Sequence, residues 1–313
     1  MRNSAIAIFA YKRPDCLRNL LQSLQRNNGI ENLEIYVFVD GPKSPAEIDL
    51  VNEVQSVALD FSLQLEMHLK VSPINLGLAN SVKTNISLLF ESYESLIVLE
   101  DDLVLSKFFL EFMLEGLQKF AEDAKIAGIS GYSYPINNPS QHGYLLPGGD
   151  CWGWATWRDR WQQIEWDPNS LISSLRSNGK VNSFNLGGAY DYYGMLVDSR
   201  LGLIDSWAIY WHASMFLSGK YTYYPSKTLV LNFGMDGSGT HFNSKSKVFD
   251  MRSEPTDSFV AIQTDQLQIL SAELASLYRS NSNSKFWVSV YKAYRKFRRL
   301  GSMIFKNHFF ERI

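Results

Sequence analysis

The sequence predicts an α/β protein: a mostly parallel central sheet with helices on both faces and a C-terminal helical tail. Three observations predict it. Short runs of β-forming apolar residues alternate with segments whose apolar residues recur at helical spacing. Polar or charged residues close several of these runs, at the strand ends where open α/β sheets collect ligands. One run, Leu96-Ile97-Val98-Leu99, leads directly into Glu100-Asp101-Asp102.

Taken in order, Ala5–Tyr11 reads as a buried strand, and Asp15 to Gln25 as a helix with Leu17, Leu20, Leu21 and Leu24 on one face and Pro14 near its start. Glu34–Val39 is a second strand, ending at Asp40-Gly41-Pro42, and Leu63–Val71 a third. A helix near Leu78–Phe90 follows, with Val82, Ile86 and Leu89 in phase, and then the strand Leu96–Leu99. Ser106 suits the N-cap of a helix carrying Phe109, Phe112, Met113 and Leu117, and Ile126–Ser130 closes the series as a strand. There is no internal repeat and no low-complexity linker.

Composition narrows the function classes. With 313 residues, 45% of them hydrophobic and 20% charged, the chain can bury a core as one large domain or two lobes. A net charge of −2 gives no overall signal for nucleic acid. The charge is unevenly placed: residues 285–313 carry eight Lys/Arg against Glu311, hence +7, and the preceding chain carries −9. Cys16 and Cys151 are the only cysteines, which indicates neither a disulfide framework nor a zinc site and favours a reducing compartment. No apolar run approaches the roughly 18 residues of a spanning helix, and a strand begins almost at the first residue, so the expected location is cytoplasmic.

The acidic triplet carries most of the chemistry. Three adjacent carboxylates repel one another, and a bound cation makes such a cluster favourable. Oxygen ligands suit Mg²⁺ or Mn²⁺, which bridge one or two carboxylates to substrate phosphates. Arg13 follows the first strand and Asp40 the second, so on parallel neighbours they converge with Glu100, Asp101 and Asp102. A base, an acid able to accept from a nucleobase or ribose, and a cation-binding cluster together describe a site for a nucleoside diphosphate with a divalent ion. Neither GxGxxG nor GxxxxGK[ST] is present, against a dinucleotide site or a P-loop. Simpler readings stand beside these: Arg13 as a surface ion pair, and Asp40-Gly41 as an ordinary turn.

Several segments, in order, resemble a GT-A glycosyltransferase, most of all the N-acetylglucosaminyltransferase I type and its bacterial relatives. They are Ala5–Leu24 with Arg13-Pro14, Val39-Asp40-Gly41, Val98-Leu99-Glu100-Asp101-Asp102 with Phe108-Phe109, Pro147-Gly148-Gly149-Asp150-Cys151-Trp152-Gly153-Trp154, Asp205-Ser206-Trp207, Tyr224-Pro225-Ser226, Asn232-Phe233-Gly234 and Gly237–Phe242. The resemblance covers roughly residues 4 to 242. It implies a nucleotide-sugar-binding half at 1–135, an acceptor-binding and catalytic half at 136–250, and a helical extension at 251–313. It also implies donor contacts from Arg13, Asp40, Glu100 and Asp101, with Asp40 reading the base, and Asp102 as the direct ligand of Mn²⁺ or Mg²⁺. In such enzymes a carboxylate of an acidic pair just before a Trp would be the general base of an inverting transfer. Here only Asp205 is acidic at that point, so the base is Asp205, shifted by one, or Asp191 or Asp198; Asp205 also suits a helix N-cap.

The implied reaction moves a sugar from a nucleoside diphosphate donor, a UDP-sugar above others, to a hydroxyl of a glycan or lipid-linked acceptor in bacterial surface polysaccharide synthesis. Trp154, Trp157 and Trp161 follow helical spacing and read as core; Trp152, beside glycines, reads as a wall for a sugar. The polar, glycine-rich stretch 234–242 suits a flap over the diphosphate, with Ser238 and His241 as donor contacts. In the tail, Trp287, Tyr291, Tyr294 and Phe297 lie largely opposite Lys292, Arg295, Lys296 and Arg299, a basic amphipathic helix able to rest on an anionic membrane or pack on the protein. Two other classes compete: a sugar-phosphate nucleotidyltransferase, which lacks its glycine-rich basic loop here, and a non-catalytic carbohydrate-binding protein.

Overall fold

A computed structural model of the protein describes residues 3–137, 142–234 and 255–281. The chain opens with β1 (Ser4–Ala10), α1 (Pro14–Leu24), β2 (Glu34–Val39), α2 (Ile48–Ser62), β3 (Met67–Val71), α3 (Leu78–Ser92) and β4 (Ser95–Glu100). Then come β5 (Leu103–Leu105), α4 (Phe109–Lys119), β6 (Ile126–Ser130), β7 (Tyr144–Pro147) and β8 (Trp154–Trp157). Four helices follow: α5 (Arg158–Trp161), α6 (Pro168–Ser177), α7 (Val181–Phe184) and α8 (Tyr192–Arg200). The last elements are α9 (Ala208–Leu217), β9 (Tyr221–Tyr224), β10 (Val230–Asn232), β11 (Gln268–Ile269) and α10 (Ser271–Asn281).

Nine strands form one sheet in the order β11-β7-β9-β6-β8-β4-β1-β2-β3, and β5 pairs with β10 beside it. Five of the eight neighbouring pairs in the large sheet are parallel, so the mostly parallel α/β sheet expected of a GT-A-like chain is present. Helices cover both faces. Leu17, Leu20, Leu21 and Leu24 of α1, Val54 of α2 and Phe112 of α4 pack with Ile6, Ile8, Val37 and Leu99 on one side. Val82 and Ile86 of α3 and Trp211 of α9 pack with Ala5, Ala7, Leu96 and Val98 on the other. Alternate residues of β1 and β4 thus feed two separate cores, the period-2 rule for a strand buried on both faces. Pro14 at the first helical position and Asp15 in the first turn start α1 where a missing N–H costs nothing and an anion is favourable.

Three expectations need correction. The strand predicted at Leu63–Val71 begins only at Met67, because α2 occupies 48–62 and Leu63 is its exposed C-terminal flank. The Trp cluster is core, but of its three members only Trp161, in α5, is helical: Trp154 and Trp157 lie on β8, three residues apart and so on opposite faces, Trp154 in the α3/α9 core and Trp157 in the α1/α4 core. Ser106 does not cap α4; Phe108 occupies that place, while Ser106 Oγ accepts from Phe108 N at 3.1 Å and donates to Thr256 O. The extension contributes a strand, β11 pairing with β7, as well as the helix α10. The basic tail after 281, and Ser238 and His241, lie outside the described residues. No described helix is long and apolar enough to cross a membrane.

Candidate active site

The strand ends converge as their order requires. β1 has β2 on one side and β4 on the other, all parallel, so the segments after Ala10, Val39 and Glu100 emerge side by side. They open into a cleft of about 380 Å³ that also takes walls from the loop before β8, from α7 to α9, and from α10.

Arg13 is committed to the acidic triplet. Its guanidinium pairs with Asp101 Oδ1 and, at 3.1 Å, with Asp102 Oδ2. Burial alone would lower its pKa, but the two carboxylates outweigh that and raise it further. Burial also raises the pKa of Glu100, helped by repulsion from Asp102 and Asp101, and Trp207 hydrogen-bonds to its carboxylate. Asp101 is raised by burial against the opposing charge of Arg13, and accepts from Tyr11 N at 3.3 Å. Asp102 differs from both neighbours: its Oδ1 is buried with no hydrogen-bond partner. Gly234 lies so close that a Cβ there would overlap Asp102 Oδ2, and Phe233 N donates to the Asp102 backbone carbonyl at 2.8 Å, so the chain after β10 is seated on this residue.

The donor set fits a hard divalent cation. An orphaned, buried carboxylate oxygen is costly unless something coordinates it, and Mg²⁺ or Mn²⁺ takes one or two carboxylates and completes its shell with water and phosphate oxygens. Among the described residues there is no group of three Asp, Glu, His or Cys side chains able to hold a metal by themselves, so substrate oxygens would have to supply the remaining ligands.

Asp40 is engaged by backbone. Its Oδ1 accepts from Gly41 N at 3.0 Å and Leu76 N at 2.8 Å, and its Oδ2 from Gly77 N at 2.9 Å. It ties the end of β2 to the start of α3, where Gly41 must lack a Cβ because Ile74 backbone occupies that space. One acceptor direction on Oδ2 remains for a ligand. Asp205 is exposed on the cleft wall, its carboxylate against Gly77 at the same helix start. It does not cap α9: Trp207 occupies the N-cap, with no side-chain capping bond. The other two candidate bases are placed elsewhere. Asp191 caps α8, accepting from Gly194 N at 3.0 Å, and Asp198 is buried in that helix; neither lines the cleft.

Trp152 does line the cleft, its ring edge-on to Tyr132 at 4.8 Å. Sequence reasoning did not single out Tyr11, Lys12 and Lys43 on the wall beside Asp40. Glu47 holds this group, accepting from Tyr11 Oη at 2.5 Å, Lys12 Nζ at 2.6 Å and Lys43 N at 2.9 Å. Burial, with help from Glu47, pushes the Tyr11 phenol up to about 12. It also missed Asp150, although this residue stands in the glycine-rich run that carries the resemblance; two glycines before a lone acid were the available signal.

No protein-family model matches the chain. Among solved structures it is similar to the crystal structure of S. aureus TarS 1–349, with 11% identity over 75% of this chain and 61% of that one and a TM-score of 0.43. The same TarS fragment in complex with UDP matches at 14% identity over 42% of this chain and 35% of that one, TM-score 0.33. Its complex with UDP-GlcNAc gives 14%, 42%, 34% and 0.32. The match therefore spans less than two thirds of the length of each of these chains.

Proposed function

We propose that this protein is a glycosyltransferase of the GT-A kind, transferring a hexosyl or N-acetylhexosaminyl group from a nucleoside diphosphate donor, UDP-sugar first, to a hydroxyl of a glycan or lipid-linked acceptor. The observation that carries this reading is the orphaned, buried Asp102 oxygen beside Arg13, just past the carboxyl end of β4, on a residue that lines the cleft. The resemblance to bacterial enzymes directs the reading toward surface polysaccharide.

Asp102 would hold Mg²⁺ or Mn²⁺, which when bound neutralises negative charge on the diphosphate. Arg13 keeps Asp101 and Asp102 in place and offsets their charge, while Asp40, Lys12 and Lys43 form the wall for the nucleoside and phosphates. Glu100, its pKa raised and its carboxyl fixed by Trp207, faces the sugar side. Asp205 accepts the proton of the incoming acceptor hydroxyl, whose oxygen attacks the anomeric carbon from the face opposite the leaving diphosphate, so configuration inverts.

Calorimetric titration with UDP, GDP and CMP, each with and without Mn²⁺, tests the assignment. One nucleotide should bind in a metal-dependent manner, and Asp102→Asn should weaken it about a hundredfold. Absence of metal-dependent binding by every nucleotide would overturn the reading.

A further inference from the structure

The half of the cleft farther from β1 and β2 is built differently. Its Lys and Arg count is zero: the only such side chains lining the cleft among the described residues are Lys12, Arg13 and Lys43, on the opposite wall. It is lined instead by Tyr134, Tyr190, Tyr192, Tyr224 and Tyr278 around one carboxylate, Asp150. The rings touch in sequence, Tyr224 to Tyr134 at 5.7 Å between centroids, Tyr134 to Tyr278 at 6.4 Å, Tyr278 to Tyr190 at 4.9 Å and Tyr190 to Tyr192 at 4.4 Å.

This chamber is held rigidly. The carbonyls of Gly148, Gly149 and Asp150 each accept from a side chain: Thr222 Oγ1 at 2.8 Å, His212 Nδ1 at 3.0 Å and Trp211 Nε1 at 3.2 Å. The Asp150 carboxylate accepts from Tyr224 Oη at 2.6 Å, Tyr134 Oη at 3.4 Å and Cys151 N at 2.6 Å. Those bonds use the phenol protons of Tyr224 and Tyr134, so toward any further group these two oxygens can only accept. Tyr278 is in turn hydrogen-bonded to Tyr192 and Tyr134. His212 faces a carbonyl through Nδ1, so that nitrogen carries the hydrogen and Nε2 is an acceptor; burial depresses its pKa to about 4 and keeps the ring neutral. The chamber therefore offers acceptors, aromatic faces and one carboxylate, a surface that repels anions and takes donors.

Resting on the transferase reading, we infer that this chamber is the subsite for a neutral, hydroxyl-rich saccharide ring of the acceptor, and that α10 of the C-terminal extension completes it through Leu274 and Tyr278. Asp150 is a positioning residue: it fixes the phenols of Tyr134 and Tyr224 so that their lone pairs meet the hydroxyls of the ring.

The test uses the full chain without nucleotide. Saturation-transfer NMR with methyl β-glucoside, methyl N-acetyl-β-glucosaminide and methyl β-glucuronide reads the chamber, and calorimetry with UDP and Mn²⁺ reads the donor half separately. A neutral glycoside should bind, and the uronate should bind more weakly. Tyr224→Phe and Tyr278→Phe, which remove one hydroxyl each, should weaken the neutral glycoside about threefold to tenfold and leave UDP binding intact. Glycoside binding unchanged in both variants, equal binding of the uronate, or no binding of any glycoside overturns the subsite. Loss of UDP binding in the unmodified protein, with the glycoside results as expected, overturns the donor reading and not the chamber.

Discussion

The two halves of the cleft handle buried carboxylate charge in opposite ways. At the end of β4 three acids sit side by side with one guanidinium between them, and an oxygen of Asp102 is left without a partner. Before β8 a single acid is surrounded by phenols and amides that donate to it. The first arrangement leaves an acceptor without a partner, whereas the second is complete within the protein and shapes the groups around it. Parallel strand ends can bring several charges to one place; a loop clamped by ring nitrogens can hold one charge in one geometry.

Asp205 lies on the cleft wall against Gly77, and its loss gives the largest expected separation between these halves. Asp205→Ala should lower kcat about 10² to 10⁴-fold while UDP binding with Mn²⁺ stays unchanged. A parallel loss of UDP affinity would assign Asp205 to the donor half instead. The next effect is on stability. In Gly149→Ala the new Cβ would overlap the Trp211 indole nitrogen, so denaturant unfolding should show a loss of about 1–3 kcal/mol, with the acidic half intact by nucleotide titration in the folded range. An unchanged denaturation midpoint would mean the clamp on residues 148–150 is loose.

The smallest effect is a difference in sign with pH. Glu100 and Asp101 have raised pKa values in the folded protein, so above their ordinary 4.5 and 3.8 the native state holds more protons and their contribution to stability falls as pH rises. His212 is lowered from 6.5 to about 4, so in that window the unfolded chain holds more protons and stability is lost on acidification. His212→Gln should remove the rise in stability between pH 4 and 6.5, so that the fall contributed by Glu100 and Asp101 shows there, and leave the alkaline side as it was. A profile in this variant that coincides with the parent's between pH 4 and 6.5 would remove His212 from that account.

Periodicity made the first half of the fold legible. β1, β2, β4 and β6 are apolar runs bounded by polar residues, and the four leucines of α1 are all fully buried. The missed helix α2 precedes the shortened β3, because Leu63 and Leu65 continue an apolar pattern past the helix end without being strand. Trp154 and Trp157 defeated the helical reading since a spacing of three fits both a helix face and the two faces of a strand, and only the pairing of β8 with β4 and β6 decides. At the site, the convergence of Arg13, Asp40 and the acidic triplet followed from strand order. That Asp40 is bound by three backbone amides and that Tyr278 reaches the same cleft did not, since the first depends on loop geometry and the second on contacts with Tyr134 and Tyr190, far back in the chain.

The insertion of β8 between β4 and β6 also sets an order of assembly. Residues 4–100 contain everything needed for the four-stranded parallel block β3-β2-β1-β4, and they leave the ribosome first. The free edge of β4, with Leu96, Ile97 and Val98, then has no partner until residues 154–157 have been made. At about 5–20 residues per second that interval lasts several seconds, during which a fully apolar strand edge is open to other chains. The nascent chain is thus most exposed to aggregation after the parallel block has formed and before Trp154 and Trp157 arrive.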